Sequence, residues 1–239
     1  MSHCDLYVHS AVATKVRGLK RFARIAGLAG KLFANYQQII FIAPTGLVVR
    51  AIAPHIRHKT TDPAVVVVDV AGRWAISLLS GHEGGANDLA VAIANALAAE
   101  PIITTTTDAA RTIIVGVGCR RGVPADRIVA AIRESLTRAK VSIDQVRLIA
   151  SADIKAGEPG LREAAIQLDR PIRFIDSDSI RRSTRSFARS KFVQSKVNLP
   201  AVAEPAALLA GRRTRLLLPR QTFTGVTVAL AAESCLWSV

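Results

Sequence analysis

Residues equipped for chemistry crowd into one octapeptide, Ser80-Gly81-His82-Glu83-Gly84-Gly85-Ala86-Asn87. His82 and Glu83 are the two side chains in the Gly81–Asn87 loop that accept a proton near neutral pH, so either is a candidate general base. Glycines let backbone amides approach a ligand closely, and a helix starting just beyond directs its positive end at whatever sits there. Amides near Gly84 and Gly85 are therefore candidate donors to a developing oxyanion. The competing reading is a tight strand-to-helix turn capped by Asn87 or Asp88, with His82 solvated. A second group, Thr104–Thr107 with Asp108, offers four hydroxyls and a carboxylate at the expected end of a strand, the ligand-facing edge in open α/β sheets. Thr105, Thr107 and Asp108 are candidates there, against a β-branched strand with alternate threonines in solvent and Asp108 capping a turn. Thr45 and Gly46 sit at a similar strand-to-helix junction and carry the same two readings.

In the second half, Gly116-Val117-Gly118-Cys119-Arg120-Arg121-Gly122 superficially resembles a dinucleotide fingerprint. Its spacing is GxGxxxG and no acidic residue closes a following strand in the right place, which excludes nicotinamide dinucleotide binding. A carboxylate-binding basic loop built on Gly118, Arg120 and Arg121 fits better. Lys155 and Glu158 form either a polar pair near the same ligand or a surface salt bridge at a helix start. His55 and His58 have an HxxH spacing with no third ligand nearby, so no metal site is expected. Cys4, Cys119 and Cys235 are too few and too far apart for a disulfide framework or a paired-cysteine metal site.

These groups need strands and helices to hold them, and the hydrophobic pattern supplies both. Asp5–His9 reads as a strand, Val16–Phe33 as a basic amphipathic helix or helix pair, and Gln38–Ala43 as a buried parallel strand. Ala64–Asp69 and Trp74–Leu79 form a hairpin around Val70-Ala71-Gly72-Arg73. An Ala-rich helix reaches Glu100, Pro101 stops it, and β-branched Ile102–Thr107 reads as a strand. The pattern then restarts at Ala109–Thr112. Ile113–Val117 is a strand, Pro124 opens a helix to about Ala139, and Arg147–Ala150, Glu158–Leu168 and Pro171–Ile175 follow as strand, helix and strand. Ser179–Ala188 is a very basic helix, Val202–Ala210 a helix, and Leu216–Leu218 with Val226–Ala231 a closing strand pair. The expectation is an α/β protein of two small modules, 1–110 and 111–239, each a mixed or mostly parallel sheet flanked by helices.

With 239 residues, 50% hydrophobic and 5% aromatic, the chain fills its cores with Ala, Val, Leu and Ile. No apolar run is long enough to cross a bilayer and the start MSHCDLYVHS lacks a leader pattern, so a cytoplasmic protein without a membrane partner is expected. The net charge is +14, of which residues 111–239 carry +11. Such a field attracts polyanions, or reflects surface arginine usage. Against nucleic acid stand the lack of a recognised motif and the scatter of Phe174, Phe187, Phe192, Phe223 and Trp237 through the basic half.

Four phrases, IFIAPTGLVVRAIAP (Ile40–Pro54), KTTDPAVVVVDVAG (Lys59–Gly72), ISLLSGHEGGANDLA (Ile76–Ala90) and PIITTTTDA (Pro101–Ala109), resemble the N-terminal module of the cobalt-precorrin-5A hydrolases, the CbiG family. GVGCRRGVPADRI (Gly116–Ile128), IASADIKAGEPGL (Ile149–Leu161) and VAEPAALLA (Val202–Ala210) resemble its C-terminal module, and together the two blocks cover about four fifths of the chain. Family members often carry a middle segment; here Asp108 is followed almost directly by Ile114-Val115-Gly116, as in a compact form. The resemblance implies a hydrolase that opens the δ-lactone of cobalt-precorrin-5A and releases acetaldehyde to give cobalt-precorrin-5B. It implies a polycarboxylate corrinoid partner whose cobalt arrives with the substrate, so no cofactor of the protein's own, and it leaves homodimerisation open. On this reading His82, Glu83 and Asp108 are catalytic. Thr45, Gly46, Gly84, Gly85, Asn87, Thr105, Thr107, Gly118, Arg120, Arg121, Lys155 and Glu158 bind substrate. The loop Gly81–Asn87 is then expected to meet Thr104–Asp108, with the basic loop closing over the ring. The alternative is a non-catalytic tetrapyrrole-binding protein, since the C-terminal module also resembles a small stand-alone protein of the aerobic cobalamin route. That protein lacks the SGHEGGAN to TTTTD block.

Overall fold

The computed structural model describes residues 4–190, 194–195 and 197–234; Phe192, Cys235 and Trp237 lie outside the described residues. The chain is α/β and forms two compact units. One comprises the residues up to Ala90 with Ala99–Ile103, the other Val91–Ala98 with Thr104 onward.

In the first unit, strands β3 (Gln38–Ile42), β4 (Ala64–Val68), β5 (Trp74–Leu79) and β6 (Glu100–Ile102) lie side by side in that order. β4 is buried at every residue, which is why AVVVV reads as an unbroken apolar run rather than an alternating one. Ile39 and Phe41 face a core shared with Ala29 and Leu32 of α1 (Ile25–Asn35) and Val48 and Ile52 of α2 (Thr45–Ile52). The hairpin expected between Ala64 and Leu79 is present: β4 and β5 are antiparallel, and Gly72 takes the left-handed conformation at its turn, φ 67°. β3 and β6 pair with this hairpin in parallel, β3 with β4 and β6 with β5.

Three expectations fail here. Val16–Phe33 is neither one helix nor a helix pair: Lys20–Phe22 is a strand, β2, parallel to β1 (Tyr7–His9), and the single helix α1 starts only at Ile25 and runs through Gly27 and Gly30. Gly18, with φ 73°, marks the break. The helix α3 (Ala86–Leu97) ends before Pro101, which sits inside β6. The threonine run is not a strand; Thr106–Ala109 forms the one-turn helix α4 with Thr105 ahead of it.

The second unit has a five-stranded sheet in the order β10 (Thr214–Phe223), β11 (Val226–Glu233), β7 (Ile113–Cys119), β8 (Val146–Ala152), β9 (Ile172–Ile175). β7, β8 and β9 run parallel, and β11 and β10 add antiparallel strands on one side. One core packs α5 (Ala125–Arg138) and α6 (Pro159–Gln167) against the sheet, and a second gathers residues of α7 (Ser177–Arg182) and α8 (Ala203–Leu209). The basic helix expected over Ser179–Ala188 is thus shorter and ends at Arg182. Phe174, Phe187 and Phe223 pack against these cores rather than forming an exposed stacking surface.

The outer edge of β9 is covered locally by a side chain. Asn95 donates from Nδ2 to the Ile172 carbonyl at 2.7 Å, and its Oδ1 accepts the Phe174 amide at 2.9 Å. On β7, a Cβ at Gly116 would stand 1.9 Å from the Ala203 carbonyl oxygen, so glycine here lets α8 lie directly on the strand. Because the obstacle is backbone, Gly116→Ala is expected to lower unfolding stability by about 2 kcal/mol or more, as overpacking does. Urea denaturation of the two proteins checks this.

Candidate functional site

The hairpin register determines which loops meet in the first unit. Val65 pairs with Leu79, so the segment entering β4 and the segment leaving β5 share one end of the sheet. Ile42 pairs with Val68, which pairs with Ala75, so the β3-to-α2 turn carrying Thr45 and Gly46 lies at the other end. Thr45 and Gly46 are therefore not part of the same constellation as His82 and Glu83, although both follow strand ends. The Gly46 carbonyl instead accepts from Arg50 Nη1 at 3.2 Å.

Leaving β5, the chain turns sharply at Ser80, whose φ of 56° is unusual for a residue with a side chain. Ser80 is buried, and its hydroxyl donates to the Asp62 carbonyl at 3.0 Å. Its own carbonyl accepts the Gly84 amide at 3.1 Å and the Ala86 amide at 3.2 Å, closing the loop on itself. A Cβ at Gly84 would lie 2.5 Å from Ser80 Cβ, so only glycine fits this closure. Gly85, at φ 82°, then releases the chain into α3, and the Asn87 amide bonds back to the Gly81 carbonyl at 3.0 Å. The Gly84 amide is thus committed inside the loop, whereas the Gly85 amide has no partner among the described residues. The helix begins at Ala86, so Asn87 and Asp88 lie in its first turn and not at the capping position. Ser77 of β5 donates to Asn87 Oδ1 at 2.8 Å and fixes the carboxamide's orientation.

His82 and Glu83 stand exposed on this closed loop. Lys59 Nζ meets Glu83 Oε1 at 2.5 Å, and this hydrogen bond is the main reason the Glu83 carboxyl sits below its usual range. Lys59 was missed as a site residue, although it stands in the phrase Lys59-Thr60-Thr61-Asp62. The hairpin was the signal, because antiparallel strands return the segment before the first to the segment after the second. Asp62 anchors that segment by accepting the Arg57 amide at 2.9 Å. His58 bonds to Thr60 Oγ1 at 2.8 Å and His55 packs against Phe33, so the HxxH pair is engaged locally. Among the described residues no cluster of His, Cys, Asp and Glu is suited to hold a metal ion.

In the second unit the loops after β7, β8 and β9 gather at the C-terminal edge of three parallel strands. Glu158 ties two of them together: its Oε2 accepts the Gly122 amide at 3.1 Å and its Oε1 faces Lys155 Nζ at 3.4 Å. The Gly122 amide is the leading cause of the depressed Glu158 carboxyl, with Lys155 and Arg121 adding to it against the opposing effect of burial. The two side chains are 15% and 12% exposed, so this is a half-buried ion pair, and Glu158 is also the residue that precedes α6. Asp153 clasps the third loop by accepting the Ser177 amide at 3.1 Å, and the Ser177 hydroxyl also donates to it. Arg120 and Arg121 are exposed beside this framework, and the Arg120 amide is held by the Gly225 carbonyl at 2.9 Å. Gly118 is a packing residue, since a Cβ there would reach Thr227 Oγ1 at 2.6 Å. Burial pushes the Cys119 thiol up, away from the reactive thiolate form. Thr105, Thr107 and Asp108 belong to the α4 segment, where the Ala109 amide bonds to the Thr105 carbonyl at 3.0 Å.

Against known proteins, residues 27–108 match the family model described as Cobalamin synthesis G N-terminal, and residues 113–231 match Cobalamin synthesis G C-terminus. The cobalt-precorrin-5A hydrolase of Salmonella typhimurium is 27% identical over 297 positions, spanning 86% of this chain and 84% of that protein. Since 297 positions exceed the whole 239-residue chain, the match bridges stretches that the relative has and this chain lacks. The cobalt-precorrin-5A hydrolase of Priestia megaterium is 52% identical over 88 residues, 37% of this chain and 24% of that protein. Protein CobE of a Sinorhizobium species is 33% identical over 133 residues, 55% of this chain and 86% of that protein.

The two lysine–glutamate pairs should respond differently to mutation. Glu158→Gln is expected to cost about 1.5 to 3 kcal/mol at pH 7, the range for hydrogen bonds to a charged group. Its folded-state carboxyl lies below the ordinary value of 4.5, so the stabilisation is complete above that pH and is lost as pH falls through the depressed value. Urea unfolding of parent and variant should therefore converge on acidification below pH 4.5. Lys59→Ala should leave the unfolding midpoint within error at pH 7, because that pair is largely solvated.

Proposed function

Because the chain belongs to the CbiG family, matching the models of both its modules, we propose that it is a cobalt-precorrin-5A hydrolase of compact form. Water opens the δ-lactone of the corrin precursor to a carboxylate and an alcohol; the alcohol then loses its proton as the carbon–carbon bond to the ring breaks, the electron pair passing to the ring, so that the two-carbon fragment leaves as acetaldehyde and cobalt-precorrin-5B remains. The observation that carries this reading is the closed Ser80–Ala86 loop, which holds a histidine in solvent next to an amide without an internal partner. Lactone hydrolysis needs an activated water and a donor for the oxyanion that forms at the carbonyl. His82 takes the proton from water. Glu83, kept as a carboxylate by Lys59 and so a weak base, places a negative charge beside His82. The Gly85 amide donates to the oxyanion, and Asn87 orients the ring. In the second unit Arg120 and Arg121 bind the substrate's peripheral acetate and propionate groups, and the Lys155–Glu158 clasp fixes the loop that carries them. Asp108, Thr105 and Thr107 contact substrate from the α4 segment.

The reaction takes place in the cytoplasm; among the described residues no helix is long and apolar enough to cross a membrane. On this reading the two modules join at Ala109–Thr112, and the support for it is that one family match stops at 108 and the next begins at 113. Trypsin under native conditions is expected to cut first after Arg111, and mass spectrometry of the early fragments checks it.

A second reading, a tetrapyrrole-binding protein without catalysis, draws on the match to CobE, which leaves nearly half of this chain uncovered. Incubation with cobalt-precorrin-5A separates the two through acetaldehyde release. His82→Ala is expected to cut release by roughly 100-fold, the lower range for losing a general base, with folding and corrinoid binding retained. Glu83→Gln should cost less. Equal turnover by both variants and the parent would remove the loop from the mechanism, and no release by the folded parent would favour the binding protein. Neutralising Arg120 and Arg121 together should raise KM more than it lowers kcat, because contacts to peripheral carboxylates are the same in ground and transition states.

A further inference from the structure

The segregation of charge in the first unit has no part in the hydrolase reading. Between Asp5 and Asp62 the sequence contains no acidic residue, yet six lysines and arginines fall within residues 15–31 alone. This stretch lies mostly ahead of residue 27, where the family match begins. It surrounds a cleft of about 530 Å³ between β2 and α1, a size within the usual range for small-ligand sites.

Two of the four cations lining the cleft are already occupied. Lys20 is paired with Asp5 at 2.9 Å and lies over the Tyr7 ring, and Arg21 donates to the carbonyls of His9, Ser10 and Val12. Tyr36 donates to Asp5 and contacts Tyr7 at 3.0 Å, which fixes Asp5 in turn. The side chains of Arg24 and Lys31 have no partner among the described residues, and both are exposed. Arg24 is the extended residue that precedes α1 and Lys31 lies seven residues further, inside the helix, a rise of about 10 Å along the axis, and both line the cleft. Between them the surface is open at Gly27, where an added Cβ would meet nothing within 4 Å, and it is flanked by apolar Leu28 and Phe22.

We propose that this cleft binds an organic dianion whose two acidic groups are set about 10 Å apart across a flat apolar body, one group on Arg24 and the other on Lys31. The guanidinium and the ammonium take the charged ends, and the bare Gly27 backbone with Leu28 and Phe22 takes the body. The occupied pair Lys20 and Arg21 keeps β2 in place and adds to the field without competing for the ligand.

The probe is biphenyl-4,4′-dicarboxylate, whose carboxylates have roughly this spacing, with 4-phenylbenzoate as the monoanion of the same body. Each is titrated into the ¹⁵N-labelled full chain at low salt while amide shifts are followed. The dianion is expected to bind at least ten times more tightly than the monoanion, with the largest shifts at Gly27, Leu28 and Lys31. Arg24→Gln with Lys31→Gln should weaken it at least tenfold. Gly27→Leu should do the same by filling the floor, and this substitution suits a helix and leaves the thermal midpoint unchanged or raised. Equal affinity for the two probes, shifts confined to the Arg120–Gly122 loop, or parental binding by folded Gly27→Leu would each overturn the proposal.

Discussion

The backbone of Ser80 is the constraint on which the first unit's candidate loop depends. A residue with a side chain held at φ 56° is costly, and here that conformation aims one carbonyl at two amides, those of Gly84 and Ala86. The same residue's hydroxyl anchors the neighbouring segment through Asp62. Rigidity at Ser80 is thereby passed on to His82 and Glu83, which are exposed yet sit on a closed ring of hydrogen bonds. The glycines have separate jobs in this arrangement: Gly84 makes room for Ser80, and Gly85 supplies the positive φ that starts the helix.

The second unit solves a similar problem with a carboxylate. Three loops at the ends of parallel strands would fan apart if left to solvent. Glu158 accepts from the β7 loop and pairs with Lys155, while Asp153 reaches the start of α7. Arg120 and Arg121 are therefore displayed on a braced loop, so less conformational entropy is lost when they meet an anion. Elsewhere in the unit, Glu204 serves the same purpose, accepting the Ala188 and Arg220 amides from within the core.

Local pattern revealed those elements whose partners are close in sequence. The β4–β5 hairpin was legible because apolar runs flank a four-residue turn containing glycine, and the helix after Pro124 because a proline suits a helix start and apolar periodicity follows it. The threonine run misled because β-branched residues favour strands only where a neighbouring strand pairs with them, and α4 instead uses the Thr105 carbonyl as its first acceptor. Lys20–Phe22 was hidden inside a helical pattern because its partner is β1, across a connection that no periodicity reports. The Glu83–Lys59 contact is 24 residues apart in sequence and became visible only through strand register. Glycine spacing at Gly116 and Gly118 looked like a ligand motif, and its cause is the approach of α8 and of Thr227.

The carboxamide of Asn95 has a bearing on how the molecule behaves in a crowded solution. A neighbouring strand would offer β9 one donor and one acceptor at this point, and Asn95 supplies both from a single side chain. β9 is short and ends its sheet, so the occupied pair interrupts the row of free backbone groups that another chain would need to dock along it. Polar mimicry of a strand thus protects the sheet's margin from self-recruitment without lengthening the fold, and it uses an amide that carries no charge in a chain already rich in cations.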